Sequence, residues 1–334
     1  MKTFQLTAFG CDNLKQVEQA QGQPGPGEVE VRMRAASINY RDYMIAEGFY
    51  NPKLKLPLQP LSDGAGEVVA VGEGVTQLRL GQRVSSLFWP QWVEGPASWP
   101  VRSASTGCEL SGVLTESWIV PETAVCRIPD YMSFAEAASL PCAALTAWTG
   151  LRLGNTGEGD WVLAQGTGGV AIFALQLAAA LGARVAVISS SDEKLVRARE
   201  LGAEVTVNYK QEPNWGAKIA ELTDGGVDNV IEIGGAGTLT QSMQALALNG
   251  SIALIGALAG FSEELNLMGL VGKNAHLHGV TVGNRADYED MLGLMAEKQI
   301  HPVISETYAF DDAPAALQSI ASGQHFGKLV VEIS

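Results

Sequence analysis

One short run constrains the fold of this chain more than any other: Gly166-Thr167-Gly168-Gly169-Val170-Ala171. It follows an apolar stretch at 160–165 that reads as a buried strand, and it opens a second apolar stretch at 169–181 that reads as a helix. A turn of this kind needs one glycine that can take positive φ and another that lets a ligand approach the backbone. The helix behind it then offers unbonded N–H groups and a partial positive charge. An anion fits that end, and this spacing between strand and helix suits the pyrophosphate of a dinucleotide. Ala171 stands where a third glycine often stands, and it is small enough for close helix–strand packing. Gly166, Gly168, Gly169 and Val170 are therefore candidate dinucleotide-binding residues.

The surrounding sequence supports that context. Apolar strands are predicted at 184–188, 204–207, 228–233 and 251–255, with a helix over 192–201 between the first two. Such alternation implies a parallel sheet covered on both faces, with right-handed crossovers. The first 125 residues read differently, as short strands between Gly and Pro punctuation, among them 28–32, 66–72 and 82–85. That pattern suggests a compact β-barrel-like domain. Residues 89–113 form an irregular excursion carrying Trp89, Trp92 and Trp99, so part of it is expected to pack. Ser133 and Glu136 form a capping-box signature for a following helix. Residues 326–333 read as a closing strand that returns to the first domain.

The end of the second parallel strand reports on the ribose. It reads Ile188-Ser189-Ser190-Ser191-Asp192-Glu193-Lys194. Serines stand where a carboxylate would hold a 2′-hydroxyl, and Lys194 and Arg197 follow in the next helix. A carboxylate would repel a 2′-phosphate, whereas hydroxyls and a lysine accept one. NADP(H) is thus expected over NAD(H), with Ser189, Ser190 and Lys194 as its contacts. The alternative is that the serines cap the helix, or do both.

Size and charge exclude other classes. A length of 334 residues suggests about two domains. Apolar residues make up 46% and charged residues 17%, and the net charge is 22 − 36 = −14, which speaks against disorder, nucleic acid and anionic membrane surfaces. Cys11, Cys108, Cys126 and Cys142 are scattered, with no C-x-x-C pair. The apolar run 171–183 is too short to span a bilayer, and no signal-peptide pattern opens the chain. A cytoplasmic protein is expected.

Taken together, the segments Gly64-Ala65-Gly66-Glu67-Val68-Val69-Ala70-Val71-Gly72, Gly81-Gln82-Arg83-Val84, the turn at 166–171 and Phe326-Gly327-Lys328 resemble the medium-chain dehydrogenase/reductase superfamily over essentially the whole chain. The resemblance implies an α/β protein. A Rossmann doubly wound parallel sheet domain at 128–283 would be paired with a GroES-like β-barrel domain from 1–127 and 284–334, with the active site in the cleft. The zinc enzymes of that superfamily carry a cysteine, a His-Glu pair and a second cysteine at places that here hold Asn39, Ser62-Asp63 and Cys142. Three ligands and an open position make a catalytic zinc site, so no metal is expected. Cys142 then reads as a small buried filler or, alternatively, a reactive thiol.

The run Ser37-Ile38-Asn39-Tyr40-Arg41-Asp42-Tyr43 with Gly48-Phe49-Tyr50 looks like the zinc-independent quinone oxidoreductase and enoyl reductase branch. By that resemblance Asn39 lies near the nicotinamide ribose and Tyr50 closes the substrate pocket, making them the catalytic candidates. Thr146 lies near the nicotinamide, and Tyr209 flanks the adenosine end. Gly256, Ala257 and Leu258 hold the carboxamide edge, and Lys328 approaches the pyrophosphate. Met44 stands where quinone oxidoreductases often carry a second Tyr, and Asp42 is expected to anchor local structure by pairing with Arg41 or capping a helix. The strand 276–282 implies a homodimer.

A chain without a Lewis acid handles activated acceptors best, because conjugation in an enone or quinone spreads the developing charge. An NADPH-dependent reductase of α,β-unsaturated carbonyls or quinones is expected, with the Trp-rich 89–99 segment shaping a pocket for a small hydrophobic substrate. The alternatives are a zinc-free alcohol or aldehyde dehydrogenase, and a non-catalytic NADPH-binding structural or redox-sensing protein.

Overall fold

The computed structural model describes residues 1–334. It divides into two compact units, Met1–Ala143 with Asn284–Ser334, and Ala144–Gly283. In chain order the first unit opens with β1 (Lys2–Leu6), β2 (Leu14–Glu18), β3 (Glu28–Ile38), α1 (Tyr40–Ala46), β4 (Asp63–Val71), β5 (Arg83–Ser86), β6 (Ser117–Pro121), β7 (Val125–Arg127) and α2 (Phe134–Ala138). The second holds α3 (Leu145–Leu153), β8 (Trp161–Gln165), α4 (Gly169–Ala180), β9 (Arg184–Ser189), α5 (Asp192–Glu200), β10 (Val205–Asn208), α6 (Trp215–Leu222), β11 (Val227–Glu232), α7 (Leu239–Ala245), β12 (Leu246–Leu254), α8 (Met268–Val271) and β13 (His276–Gly279). The chain then returns to the first unit with α9 (Arg285–Lys298), β14 (Ile304–Ala309), α10 (Ala313–Ser319) and β15 (Lys328–Glu332).

In the first unit the main sheet runs β14-β15-β3-β4-β5-β7, with β6 also paired to β3. Its core takes Val31, Met33 and Ile38 from β3, Val68 from β4, Val84 from β5, and Leu329 and Val331 from β15. The last strand of the chain thus pairs antiparallel with β3, in a register that sets Leu329 opposite Ile38 and Val330 opposite Ser37. That register carries Lys328 to the end of β3, beside Asn39. The unit extends past residue 127, to Ala143, for a packing reason: Ala137 and Ala138 of α2 bury against Ala35, Ala65 and Val330. The α2 cap matches its signature, with Ser133 Oγ accepting from Glu136 N–H and Glu136 returning the bond to Ser133 N–H at 2.7 Å.

The second unit is a six-stranded parallel sheet in the order β10-β9-β8-β11-β12-β13. Numbered within the unit this is 3-2-1-4-5-6, the doubly wound order in which ligands sit at the carboxyl ends of the strands where the order reverses, here between β8 and β11. Val162, Leu163 and Ala164 are fully buried, as a strand covered on both faces requires. Helix α4 is apolar nearly all round, and its residues from Ala171 to Leu175 are all buried. The predicted strand at 251–255 starts earlier, at Leu246, and the one at 276–282 stops at Gly279. Positive φ at Val282, 59°, is incompatible with extending it.

No regular element forms in 89–113. Trp89 is buried edge-on to Phe88 at 5.0 Å, and the carbonyls of Trp92 and Val93 accept from Arg285 and Ala286 N–H. Trp99 is 89% exposed, so the expected packing holds for the first two tryptophans and not the third. No helix is long and apolar enough to cross a membrane.

Candidate functional site

In the second unit, the turn after β8 has the geometry the sequence calls for. Gly166 sits at φ 75°, where an L side chain is strained, and its N–H donates to Ile188 O at 2.7 Å. Gly168 is the N-cap of α4 and supplies no side-chain cap, so the first N–H groups of the helix face outward. The turn and the helix end therefore fit a pyrophosphate.

Two residues that sequence reasoning passed over hold this end of the sheet together. Gln165 and Glu232 finish β8 and β11, and both are buried. Gln165 Nε2 donates to Glu232 Oε2 at 2.7 Å, and Ser242 Oγ donates to the same oxygen. Glu232 Oε1 accepts from Gly234 N–H, Gly235 N–H and Thr238 Oγ. A buried carboxylate with so many donors is compensated, and it ties the two strands flanking the switch point to the loop after β11. The signal in the sequence was a Gln ending the otherwise apolar β8 and a Glu following the apolar pair Val230-Ile231 of β11.

At the ribose end, Ser189 is buried opposite Asn208 in the β9–β10 pairing. The capping is done by Ser191, whose Oγ accepts from Lys194 N–H, which leaves Ser189 and Ser190 out of that role. Asp192 accepts from the Asn208 and Gln211 side chains at 2.7 and 2.8 Å. Lys194 lies in the first turn of α5. Burial and the field of Arg197 hold its ammonium below the ordinary lysine value, against Glu193, so two cations share this end of the helix. Tyr209 is partly exposed, and its N–H donates to Ser189 O. Thr146 is buried on α3. The N–H groups of Gly256 and Leu258 are bonded to Glu232 O and Ile233 O, so a carboxamide would meet the other backbone groups of that turn.

In the first unit a buried polar cluster gathers where the sequence places Asn39, Asp63 and Lys328. Asn39 is 8% exposed and Lys328 3%, while Ser62 and Asp63 are fully buried. Lys328 Nζ donates to Asn39 Oδ1 at 2.6 Å and to Ile38 O at 2.8 Å. Asp63 accepts from Ser62 Oγ at 2.6 Å and from Cys142 N–H at 3.1 Å. Burial pushes the Asp63 carboxyl up, against the field of Lys328. Burial likewise pulls the Lys328 ammonium down, against the fields of Asp63, Cys142 and Asp42. Asn39 Nδ2 faces Asp63 and steadies its charged form, though the contact falls short of a well-formed hydrogen bond.

The loop before Asp63 is shaped by close approach. Leu61 takes φ 69°, a costly value for a branched side chain. A Cβ at Gly107 would clash with Leu61 O, and one at Gly112 with Pro60 O, so both glycines are needed to hold the loop. Beyond it, Arg41 donates to Thr106 O and Ser105 Oγ, and its guanidinium lies 4.4 Å from the Phe88 ring and 5.2 Å from the Tyr50 ring. Tyr50 itself is 44% exposed.

The structure thus brings Asn39 and Lys328 together. The Lys328 ammonium uses two of its three donors within the first unit. Cys142 is partly exposed, not a fully buried filler. Burial and the Asp63 carboxylate push its thiol up, which is the opposite of a reactive thiolate. His276 and His278 stack at 5.9 Å on β13.

Comparison with known proteins places these sites in a family. Residues 25–130 match an alcohol dehydrogenase GroES-like domain and residues 169–297 a zinc-binding dehydrogenase domain. A zinc-type alcohol dehydrogenase-like protein of Schizosaccharomyces pombe is 41% identical over 97% of this chain and 96% of its own. The chain is a medium-chain dehydrogenase/reductase. Acryloyl-coenzyme A reductase of Metallosphaera sedula is 31% identical to this dehydrogenase/reductase over 92% of the chain and 93% of its own. Among solved structures, an NAD-dependent alcohol dehydrogenase matches with a TM-score of 0.92 at 30% identity, covering 100% of both chains. A mycobacterial protein complexed with NADPH matches with a TM-score of 0.82 at 27% identity, again covering 100% of both. This dehydrogenase/reductase is accordingly an oxidoreductase using a nicotinamide dinucleotide, with a Rossmann sheet and a GroES-like domain.

The matched domain's description implies zinc, and the donor set of this dehydrogenase/reductase does not fit one. A catalytic zinc takes three protein ligands, and no three His, Cys, Asp or Glu side chains converge. The groups that do face one another are a thiol held protonated, a carboxylate already accepting from Ser62 and Cys142 N–H, an amide, and the ammonium of Lys328. A divalent cation there would meet a cation already in place.

Proposed function

We propose that this oxidoreductase reduces an activated acceptor, an α,β-unsaturated carbonyl or a quinone, with NADPH and without zinc. The observation that carries this reading is the Asn39 side chain, a buried amide whose Nδ2 faces the Asp63 carboxylate but closes no well-formed hydrogen bond with the protein. An unpaired buried donor is costly unless a ligand meets it, and a carbonyl oxygen is the matching group. When bound, the reduced dinucleotide supplies a hydride. The chain's own residues then have a modest task, because conjugation has already spread the charge. Asn39 Nδ2 donates to the oxygen on which negative charge grows. Tyr50, partly exposed with a guanidinium beside its ring, or water supplies the proton. Oxidising a simple alcohol would instead ask for a base and a strong alkoxide stabiliser, whereas Asp63 is engaged by Ser62 and Cys142 N–H and the Lys328 ammonium by Asn39 and Ile38.

NADPH over NADH is supported by the ribose end. No carboxylate occupies Ser189 or Ser190, and the cationic Lys194 and Arg197 lie on the adjoining helix turns. A homodimer is supported by β13, an edge strand whose outer side has no strand beside it, with Leu277 on it 41% exposed.

Steady-state NADPH oxidation with a panel of enones, quinones and aldehydes tests the reading, together with metal analysis of active enzyme. Turnover of enones or quinones unaffected by chelators is expected. Turnover of simple alcohols alone, with NAD and lost on chelation, would overturn it.

A further inference from the structure

We propose that Glu232 is a positioning residue for the cofactor: its buried carboxylate sets the turn at Gly256–Leu258 against which the carboxamide of the dinucleotide binds. The proposal rests on that placement of the carboxamide and not on the identity of the acceptor. Every group involved lies in the second unit, at the carboxyl ends of β8, β11 and β12, where a doubly wound sheet takes its ligand. Three successive peptides after β11 carry the argument. In a trans peptide the N–H and the C=O point in opposite directions. The N–H of Ile233 donates to Gln165 Oε1 at 3.2 Å, and the carbonyl of the same peptide, Glu232 O, accepts from Ile255 N–H at 2.9 Å. The N–H groups of Gly234 and Gly235 donate to Glu232 Oε1 at 2.8 and 3.0 Å. The carbonyls opposite them, Ile233 O and Gly234 O, accept from Leu258 N–H at 3.2 Å and Ala259 N–H at 2.7 Å. The side chains of Gln165 and Glu232 thus fix one edge of these peptides, and the other edge holds the turn after β12.

The two segments also pack closely. A Cβ at Gly256 would lie 2.6 Å from Ile233 O, and one at Gly235 would lie 2.8 Å from Ala257 Cα, so a rotation of either peptide shifts the turn. Within the turn, the peptide joining Gly256 to Ala257 bonds to the protein through neither its N–H nor its C=O, and Ala257 is half-buried. One donor and one acceptor are what a primary carboxamide matches. A carboxylate is needed at 232 because only donors surround it. Gln165 Nε2 and Ser242 Oγ donate to Oε2, and Thr238 Oγ joins the two N–H groups on Oε1. Glu232 is fully buried, so water replaces none of them. A glutamine there turns an NH2 onto one of the two sets, and the donors it faces must move away.

The test is titration calorimetry of wild type, Glu232→Gln and Glu232→Asp with two probes, NADPH and 2′-phospho-ADP-ribose, which is the same molecule without nicotinamide. In Glu232→Gln the Kd for NADPH is expected to rise about tenfold, and that for 2′-phospho-ADP-ribose to stay within about twofold. Glu232→Asp keeps an acceptor-only group on a shorter arm; it is expected to raise the NADPH Kd about threefold, and it carries the comparison alone should Glu232→Gln not fold. Amide hydrogen exchange without cofactor gives a second readout. Residues 255–260 are expected to exchange about tenfold faster or more in the variant, while Val162–Ala164 of β8 stay protected. Equal weakening of both probes, the mark of a merely structural role, would overturn the proposal. So would unchanged NADPH binding, or unchanged exchange at 255–260. A wild type that binds NADPH no more tightly than 2′-phospho-ADP-ribose removes the carboxamide placement and the proposal with it. A wild type that prefers NADH sinks the reading of cofactor choice alone, and NADH with ADP-ribose then serves as the pair of probes.

Discussion

Asp42 Oδ2 accepts the backbone N–H of Asn39 at 2.8 Å, and Asp42 Oδ1 lies 3.7 Å from Arg41 Nη1. One carboxylate thus caps α1, holds the Asn39 backbone, and pairs with the guanidinium near Tyr50.

A pH dependence follows from its burial. Burial, opposed by Arg41 and Lys328 and reinforced by Asp63, pushes the Asp42 carboxyl from 3.8 up to about 6. Between those values the folded state holds a proton that the unfolded state has lost, so this group's contribution to stability falls as pH rises from 3.8 to about 6. The full penalty, on the order of 3 kcal/mol, applies above that window. Urea unfolding of wild type and Asp42→Asn from pH 4 to 7 checks it. The stability of wild type relative to the variant is expected to decline across the range, and a constant difference would count against the shift.

Gly166→Ala tests the phosphate turn. A Cβ there meets only Ile233 Cδ1 at 3.6 Å, an ordinary contact, so the cost lies in φ 75°. That conformation costs an L residue about 1–2 kcal/mol. Thermal unfolding should show a loss of that size, and titration calorimetry a Kd for NADPH raised about tenfold as the turn relaxes. An unchanged affinity would place the dinucleotide elsewhere.

Cofactor choice is predicted to lie with Ser190 and Lys194. Lys194→Ala should raise KM for NADPH about tenfold and leave that for NADH nearly unchanged, because only the 2′-phosphate distinguishes them. Ser190→Asp should reverse the preference by repulsion. Equal effects on both cofactors would assign Lys194 to the fold instead.

Leu277→Lys tests the edge strand. A charge on a strand that pairs with its copy is unfavourable, whereas on a solvated edge it is harmless. Light scattering is expected to show a dimer in wild type and a monomer in the variant, with circular dichroism unchanged. A wild-type monomer would refute the pairing.

Much of the second unit was legible from residue order alone. Apolar strands alternating with helices, and a glycine turn between the first strand and its helix, rest on interactions within a few residues, so the pattern at 160–181 locates Gly166 and Gly168 without tertiary information. Also legible was that Asn39 and Ser62, at two of the places where the zinc enzymes carry ligands, can supply neither thiolate nor imidazole. What only the tertiary structure decided is how distant polar groups are paired. Nothing near Lys328 in the chain distinguishes a phosphate ligand from a residue bonded to Asn39, and nothing in β8 or β11 shows that Gln165 and Glu232 meet. Those outcomes depend on strand register and on burial, which make a lone donor or charge costly and so select the one partner within reach.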